Sequence, residues 1–313
     1  MPARTRYYCD RDHIGAYKRM PKEIINLINT PTTAIGAGVI SLVVSAAVNY
    51  IFKRGENRHK ANLDYEYEQK KASRELIARY KGRILREAVQ LTNRQWNLYS
   101  NWQSGWMTKE TSASGDGYYF TSTVYRFLSL FTLILEADAE AILLDTAIAR
   151  KTDYAFIKYL SIMRWVITDV SLFDGLQYDV SIQRDHFFSD GLRVYTKPCW
   201  VDGKVVSYDM FRSEQYALAD TLPVLNFFDG LQKNENRYRW DRLAALHLIL
   251  AAYINKFGYD LQRTSEVKLQ KIAREIQHPE VLNNLIIWLR RHHLSRDREA
   301  KRLMRALKEV VAK

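Results

Sequence analysis

Two kinds of hydrophobic pattern alternate along the chain. From Thr33 to Phe52, TAIGAGVISLVVSAAVNYIF, twenty residues pass without a charge, and no other window matches that run. Beyond it, apolar positions return every three or four residues with Lys, Arg and Glu between them, the period of helices with one buried face. The first pattern predicts a transmembrane helix, because a helix of that length covers roughly 30 Å, the hydrocarbon thickness of a bilayer. Lys53, Arg54, Arg58 and Lys60 close it with a charged stop. Buried core helices usually run shorter. Ser45-Ala46-Ala47 has the small residues of a cleavage site, but thirty-two residues precede the apolar run, too many for the leader of an ordinary signal peptide.

The amphipathic pattern supplies the rest of the architecture. Residues 1–32 form an N-terminal segment with a short amphipathic piece, PKEIINLIN, ahead of Pro31. Leu63, Tyr67, Ala72, Leu76, Tyr80, Ile84, Ala88, Leu91 and Leu98 keep helical spacing through a stretch without proline, so the span is expected to continue as a helical stalk over 53–110. A loop, TSASGDG, follows at 111–117. Residues 117–313 then read as a helical soluble domain. Its first helix, GYYFTSTVYRFLSLFTLIL, is apolar enough to suggest a second span, yet Arg126 sits near its middle. A mid-bilayer Arg costs at least ~2.5 kcal/mol, so this run is expected to be a core helix. Thr152 or Asp153 should open the next helix. Further helices are expected at about 207–218, 221–230, 237–257, 265–277, 279–293 and 296–312, with Pro279 in a first turn and Ser295 as an N-cap. Asp202-Gly203 between short β-formers predicts one two-residue hairpin. The fold class is therefore all-α, with a single N-terminal transmembrane helix, a stalk, a multi-helix soluble domain and one small β-hairpin.

Phe173-Asp174-Gly175-Leu176-Gln177 reappears unchanged at Phe228–Gln232, and Ser189-Asp190-Gly191-Leu192 is a partial third copy. The flanks do not match, so duplication is not supported. Gly at a left-handed position followed by Leu folding back is helix-stop chemistry, and three helix ends are expected.

Composition agrees with a globule hung from an anchor. Mean hydropathy is −0.34, and 13 Gly with 6 Pro in 313 residues favour long helices. The net charge of +12 points first to an anionic lipid surface and second to nucleic acid, which is the less favoured partner. Four Lys/Arg follow the span within residues 53–67 and three precede it within 18–32, a small bias towards a cytoplasmic C-terminal body in a single-pass cell-membrane protein. Cys9 and Cys199 are the only cysteines and no N-x-Ser/Thr acceptor lies outside the span, which leans the same way. Ala37, Ser41, Ser45 and Asn49 recur every fourth residue and form a small, hydroxylated face suited to helix association, so a homo-oligomer through the span is expected.

Candidate chemistry is sparse. Asp185, His186 and Asp190 form the densest acid/His cluster, and His186 and Asp190 would face together on a helix to bind a metal or relay a proton. No metal-ligand spacing completes such a site, and no cofactor motif is present: Gly36-Ala37-Gly38 lacks the strand and the rest of a dinucleotide fingerprint. A calcium loop on Gly203 would place Pro198, Trp200 and Asp202 at ligand positions and fails. Glu275-Ile-Gln-His278 gives one E-x-x-H where a di-iron bundle needs two. Glu136 and Glu140 read as a solvated face, and His247 as a hydrogen-bonded core residue. Adjacent His292 and His293 point apart on a helix. Arg126 in an apolar helix must be paired, and a core acid is the favoured partner ahead of an anionic ligand, with Tyr118, Tyr119 and Tyr125 nearby either lining a pocket or filling one. The basic C-terminal stretch has an apolar stripe at Leu294, Leu303, Leu307 and Val310, and its acids Asp297, Glu299 and Glu309 favour docking on the domain. The leading expectation is a membrane-anchored helical protein that works by protein or ligand binding, as sensor, scaffold or effector. The alternatives are a membrane-tethered hydrolase or metal enzyme using Asp185, His186 and Asp190, and a tethered nucleic-acid binder using the basic residues of 290–308.

Overall fold

Helical periodicity becomes helix almost throughout. The computed structural model describes residues 34–109, 117–142, 151–181, 184–213 and 217–312, without the side chains of 34–41, 151 and 217–219. The N-terminal segment 1–32, Thr33 at the head of the apolar run, the side chains of Ala37 and Ser41 and the loop expected from residue 111 to 116 lie outside the described residues. The chain divides into two units, 1–65 and 66–313.

In the first unit, residues 34–65 belong to helix α1 (Ala34–Asn101), and every described side chain of the unit, from 42 to 65, is exposed. Among the described residues, no helix is long and apolar enough to cross a membrane. The twenty-residue apolar run starts ahead of those described side chains.

The second unit takes up the remainder of α1. From Ser73 onward the helix is no free stalk: Leu76, Tyr80, Ile84, Ala88, Leu91 and Leu98 make a buried stripe. Helix α2 (Tyr118–Ala141) lies in the core, as the cost of placing Arg126 in lipid predicts. Its Phe127 touches Phe131, Phe187, Phe227 and Phe228, with ring centroids 4.6–6.5 Å apart. Each such buried side chain contributes about 1.5–3 kcal/mol through area removed from water.

Helix α3 (Lys151–Thr168) follows, and a 3-10 turn (Val170–Phe173) continues it, capped by the Asp169 side chain through Ser171 N at 2.8 Å. The helix already includes Lys151, so Thr152 and Asp153 lie inside its first turn instead of capping it. Next come α4 (Ser189–Thr196), the strands β1 (Trp200–Val201) and β2 (Lys204–Val205), α5 (Tyr208–Ser213) and α6 (Ala217–Phe228). The strands pair antiparallel, Trp200 with Val205 and Val201 with Lys204. Asp202 and Gly203 both take positive φ, 49° and 73°, the geometry of a tight two-residue turn.

Helix α7 (Arg239–Phe257) is buried from Arg239 to Asn255, and α3 packs along it. Helices α8 (Glu266–Ala273), α9 (Pro279–Arg291) and α10 (Arg298–Val311) complete the unit, with α8 and α9 both packed on α10. Pro279 occupies the first turn of α9 as expected. The cap of α10 is Asp297, not Ser295: its carboxylate accepts from Glu299 N at 3.0 Å and Ala300 N at 3.1 Å, and a carboxylate suits a helix N-terminus better than a hydroxyl. The basic helix docks through Ala300, Leu303, Ala306 and Leu307, all fully buried. Two of the three Asp-Gly-Leu copies are stops, with Gly175 at φ 90° and Gly230 at φ 65°. The third is a start, since Gly191 lies inside the first turns of α4.

Candidate functional site

The sequence candidates Asp185, His186 and Asp190 do not share a helix face. Phe188 is the extended N-cap of α4, so Asp185 and His186 precede the helix while Asp190 stands exposed in its first turn. The Asp185 carboxylate is fully engaged: Oδ1 accepts from Arg237 Nε at 2.7 Å and Oδ2 from Tyr238 N at 3.0 Å. It ties the entry of α7 to the segment before α4. His186 Nδ1 and the Tyr178 hydroxyl are 2.5 Å apart. Burial, and then the charge of Arg242, push this imidazole below its ordinary range, so it is neutral near pH 7. His186 borders a cavity of about 580 Å³ with Arg164, Trp165, Thr168, Asp169 and Phe188.

Sequence reasoning missed Arg242, which bonds to the carbonyl of Asp169, one of the residues lining that cavity. Arg242 is 0 % exposed. Its Nη1 donates to Val166 O at 2.5 Å and Asp169 O at 3.1 Å, capping the carbonyl end of α3, and its guanidinium lies 4.5 Å from the Phe173 ring centroid. Burial lowers it to about 10, so it stays charged near neutrality. Its Nε and Nη2 find no partner among the described residues. Set in the polar opening of a long apolar run, it offers no local signal of this role.

Arg126 is half-buried and has no carboxylate partner among the described residues. Its Nη1 donates to Ser122 O at 3.2 Å. Arg94, from α1, converges on the same turn through Nη2 to Ser122 Oγ at 2.9 Å. The Arg94 guanidinium lies 4.1 Å from the Tyr119 ring centroid and 5.7 Å from that of Tyr118. The Arg126 guanidinium beside it, with the charge of Arg94, holds the exposed Tyr118 phenol below its usual range. Tyr208 stands edge-on to both Tyr118 and Tyr125, and its buried hydroxyl has no partner among the described residues. The sequence singled out Arg126, Tyr118, Tyr119 and Tyr125. Arg94 and Tyr208 were not legible, because only the packing of α1 and α5 beside α2 brings them there.

The remaining candidates are absorbed by the fold. Glu140, partly exposed, accepts from Arg79 Nη1 at 2.8 Å and Tyr80 Oη at 2.6 Å, and burial with this bond pushes the Tyr80 phenol up to about 12. His278 Nδ1 meets the buried Asp241 carboxylate at 2.7 Å, while Glu275 pairs with Lys233 at 2.8 Å, so the E-x-x-H residues serve different partners. His247 is a core histidine bonded to Tyr99 at 3.2 Å, pushed down to about 3 by burial. Burial raises the Cys199 thiol to about 12, which leaves it unreactive. A second cavity, of about 690 Å³, has Lys158, Lys256, Arg296 and Arg298 around Asp297, but Lys256 is paired with Asp297 at 2.8 Å. No group of His, Cys, Asp or Glu able to hold a metal occurs among the described residues. Of the expected association face, Ser45 and Asn49 are described and both are exposed. No protein-family model matches the chain, and no curated protein or solved structure does so either.

Proposed function

We propose that this protein is a membrane-tethered helical binding protein: a single span, Thr33–Phe52, anchors a cytoplasmic helical body in the cell membrane. One observation carries the reading. Leu42, Val43, Val44, Val48, Ile51 and Phe52, all within the charge-free run, are 42–74 % exposed on a continuous helix. Leaving such side chains in water forfeits about 1.5–3 kcal/mol each, and acyl chains remove that cost. Ser45 and Asn49, exposed on the same helix, belong to the face through which two copies would associate. Binding is favoured over catalysis because Asp185 is spent on Arg237 and Tyr238, and Asp190 stands apart from His186.

Fractionation tests the tether. The full-length chain is expected in the membrane pellet after alkaline carbonate washing and in the soluble fraction only after detergent. Recovery in the supernatant without detergent overturns the proposal.

A further inference from the structure

Most arginines engaged in the second unit have an acid: Arg79 pairs with Glu140, Arg164 with Asp138, Arg237 with Asp185 and Arg239 with Glu235. Arg94 and Arg126 do not, among the described residues, although both bond to Ser122, Arg94 at its hydroxyl and Arg126 at its carbonyl. Two positive charges brought to one residue without an acid favour an anion beside them. The start of α2 reinforces the field. Among the described residues, its N-cap is Gly117, no side-chain cap bond is formed, and no acid occupies its first turn. The N-terminal partial positive charge of a 24-residue helix is therefore added to those of Arg94 and Arg126.

We propose that Arg94 and Arg126, with Tyr118, Tyr119 and Tyr208 around them, form a binding site for a phosphomonoester carried on a flat or apolar body. The charge balance selects the anion. A carboxylate neutralises one guanidinium and leaves the other, whereas a phosphomonoester carries about −1.5 to −2 near pH 7 and offers three acceptor oxygens. The rings select the body. Tyr119 has the Arg94 guanidinium 4.1 Å from its ring centroid and the Trp106 ring tilted against it at 5.1 Å, and Tyr118 and Tyr208 form a second aromatic edge with centroids 5.7 Å apart. The Tyr208 hydroxyl, without a partner among the described residues, supplies a further donor. Tyr118, 57 % exposed, leaves the site open to solvent on its side. This ligand class gives content to the binding role proposed above and rests on it, but not on the tether.

The test uses the full chain in phosphatidylcholine nanodiscs, titrated with phenyl phosphate, inorganic phosphate and benzoate by calorimetry. Phenyl phosphate is expected to bind most tightly, with benzoate weaker by about tenfold or more. Arg94→Gln and Arg126→Gln should each weaken phenyl phosphate by about tenfold, and Arg126→Lys by less, because it keeps the charge and loses the fork. Far-ultraviolet dichroism establishes that the variants remain folded. A second readout does not depend on affinity: bound phosphate cancels the positive field on Tyr118, so tyrosinate absorbance at a fixed alkaline pH falls on binding, and Tyr118→Phe removes that change. Phosphatidic acid added to the nanodisc distinguishes the two sources of the phosphate. Competition with phenyl phosphate assigns it to a lipid headgroup, and undiminished binding to a soluble ligand; both support the site. Equal binding of benzoate and phenyl phosphate, or folded Arg94→Gln and Arg126→Gln variants with unchanged affinity, overturns it. Fractionation is read separately, so a failed tether and a failed site cannot be confused.

Discussion

The two ends of α1 share one backbone and differ in their surroundings. Leu42, Ile51 and Phe52 are 72, 68 and 74 % exposed, while Leu76 and Ile84 are 4 and 0 % exposed. The exposed end is the more apolar of the two. Apolar density therefore does not by itself decide burial within the chain. A single stripe, as at Leu76, Tyr80 and Ile84, is matched by the apolar faces of the other helices of its unit. A run that is apolar on all sides is satisfied only by a surrounding that is apolar on all sides, and this is the ground for the bilayer proposed above.

Truncation at matched positions breaks or sharpens this contrast most strongly. Ile84→Ala is expected to destabilise the second unit by about 2–5 kcal/mol, since it empties a fully buried site. Ile51→Ala should alter stability by less than about 0.5 kcal/mol. Denaturant unfolding in detergent, followed by dichroism, measures both; equal effects would erase the distinction between the two ends.

An acid titration gives a smaller effect, confined to the packed region. His247 titrates at about 3 when folded and near its ordinary 6.5 when unfolded. Between those values the unfolded chain binds the extra proton, so stability falls as pH is lowered from neutrality. The slope from this residue is at most about 1.4 kcal/mol per pH unit. His292, lowered by burial to about 4, acts in the same direction. Denaturation midpoints at about pH 7 and about pH 5 should differ in the parent chain, and the difference should shrink in His247→Gln.

The smallest effect lies where the two units meet in sequence. Glu66 and Lys70 form an exposed i,i+4 pair at 3.0 Å on α1. Glu66→Gln should cost no more than about 0.5 kcal/mol, since water and salt screen such pairs. A larger loss in the same unfolding measurement would mean that the junction itself is structurally important.

Legibility followed range. Pro279 at a helix start and Asp202-Gly203 at a hairpin depend on the φ a residue tolerates, and both stand where the sequence puts them. Gly175 and Gly230 obeyed the same logic, but Gly191 did not, because the dipeptide Asp-Gly serves a helix start as readily as a stop. His186 and Asp190 were expected one helical turn apart, but the helix begins at Ser189, after both Asp185 and His186. Arg126 is expected from the sequence to pair with a core acid and among the described residues has none, and nothing local indicates that Arg94, thirty-two positions earlier, joins it at Ser122.

What the amino-acid order determined unaided was the helical class, the single hairpin, the core position of α2 and the existence of one uninterrupted apolar run. These follow from side-chain periodicity and backbone preference, both of which act over a few residues. Only the tertiary structure decided that part of α1 belongs to a core, that Arg242 caps the carbonyl end of α3, and that Arg94 and Arg126 meet at Ser122 with no acid among the described residues. Those outcomes depend on which helices lie side by side, and that choice is made by the fit of whole surfaces.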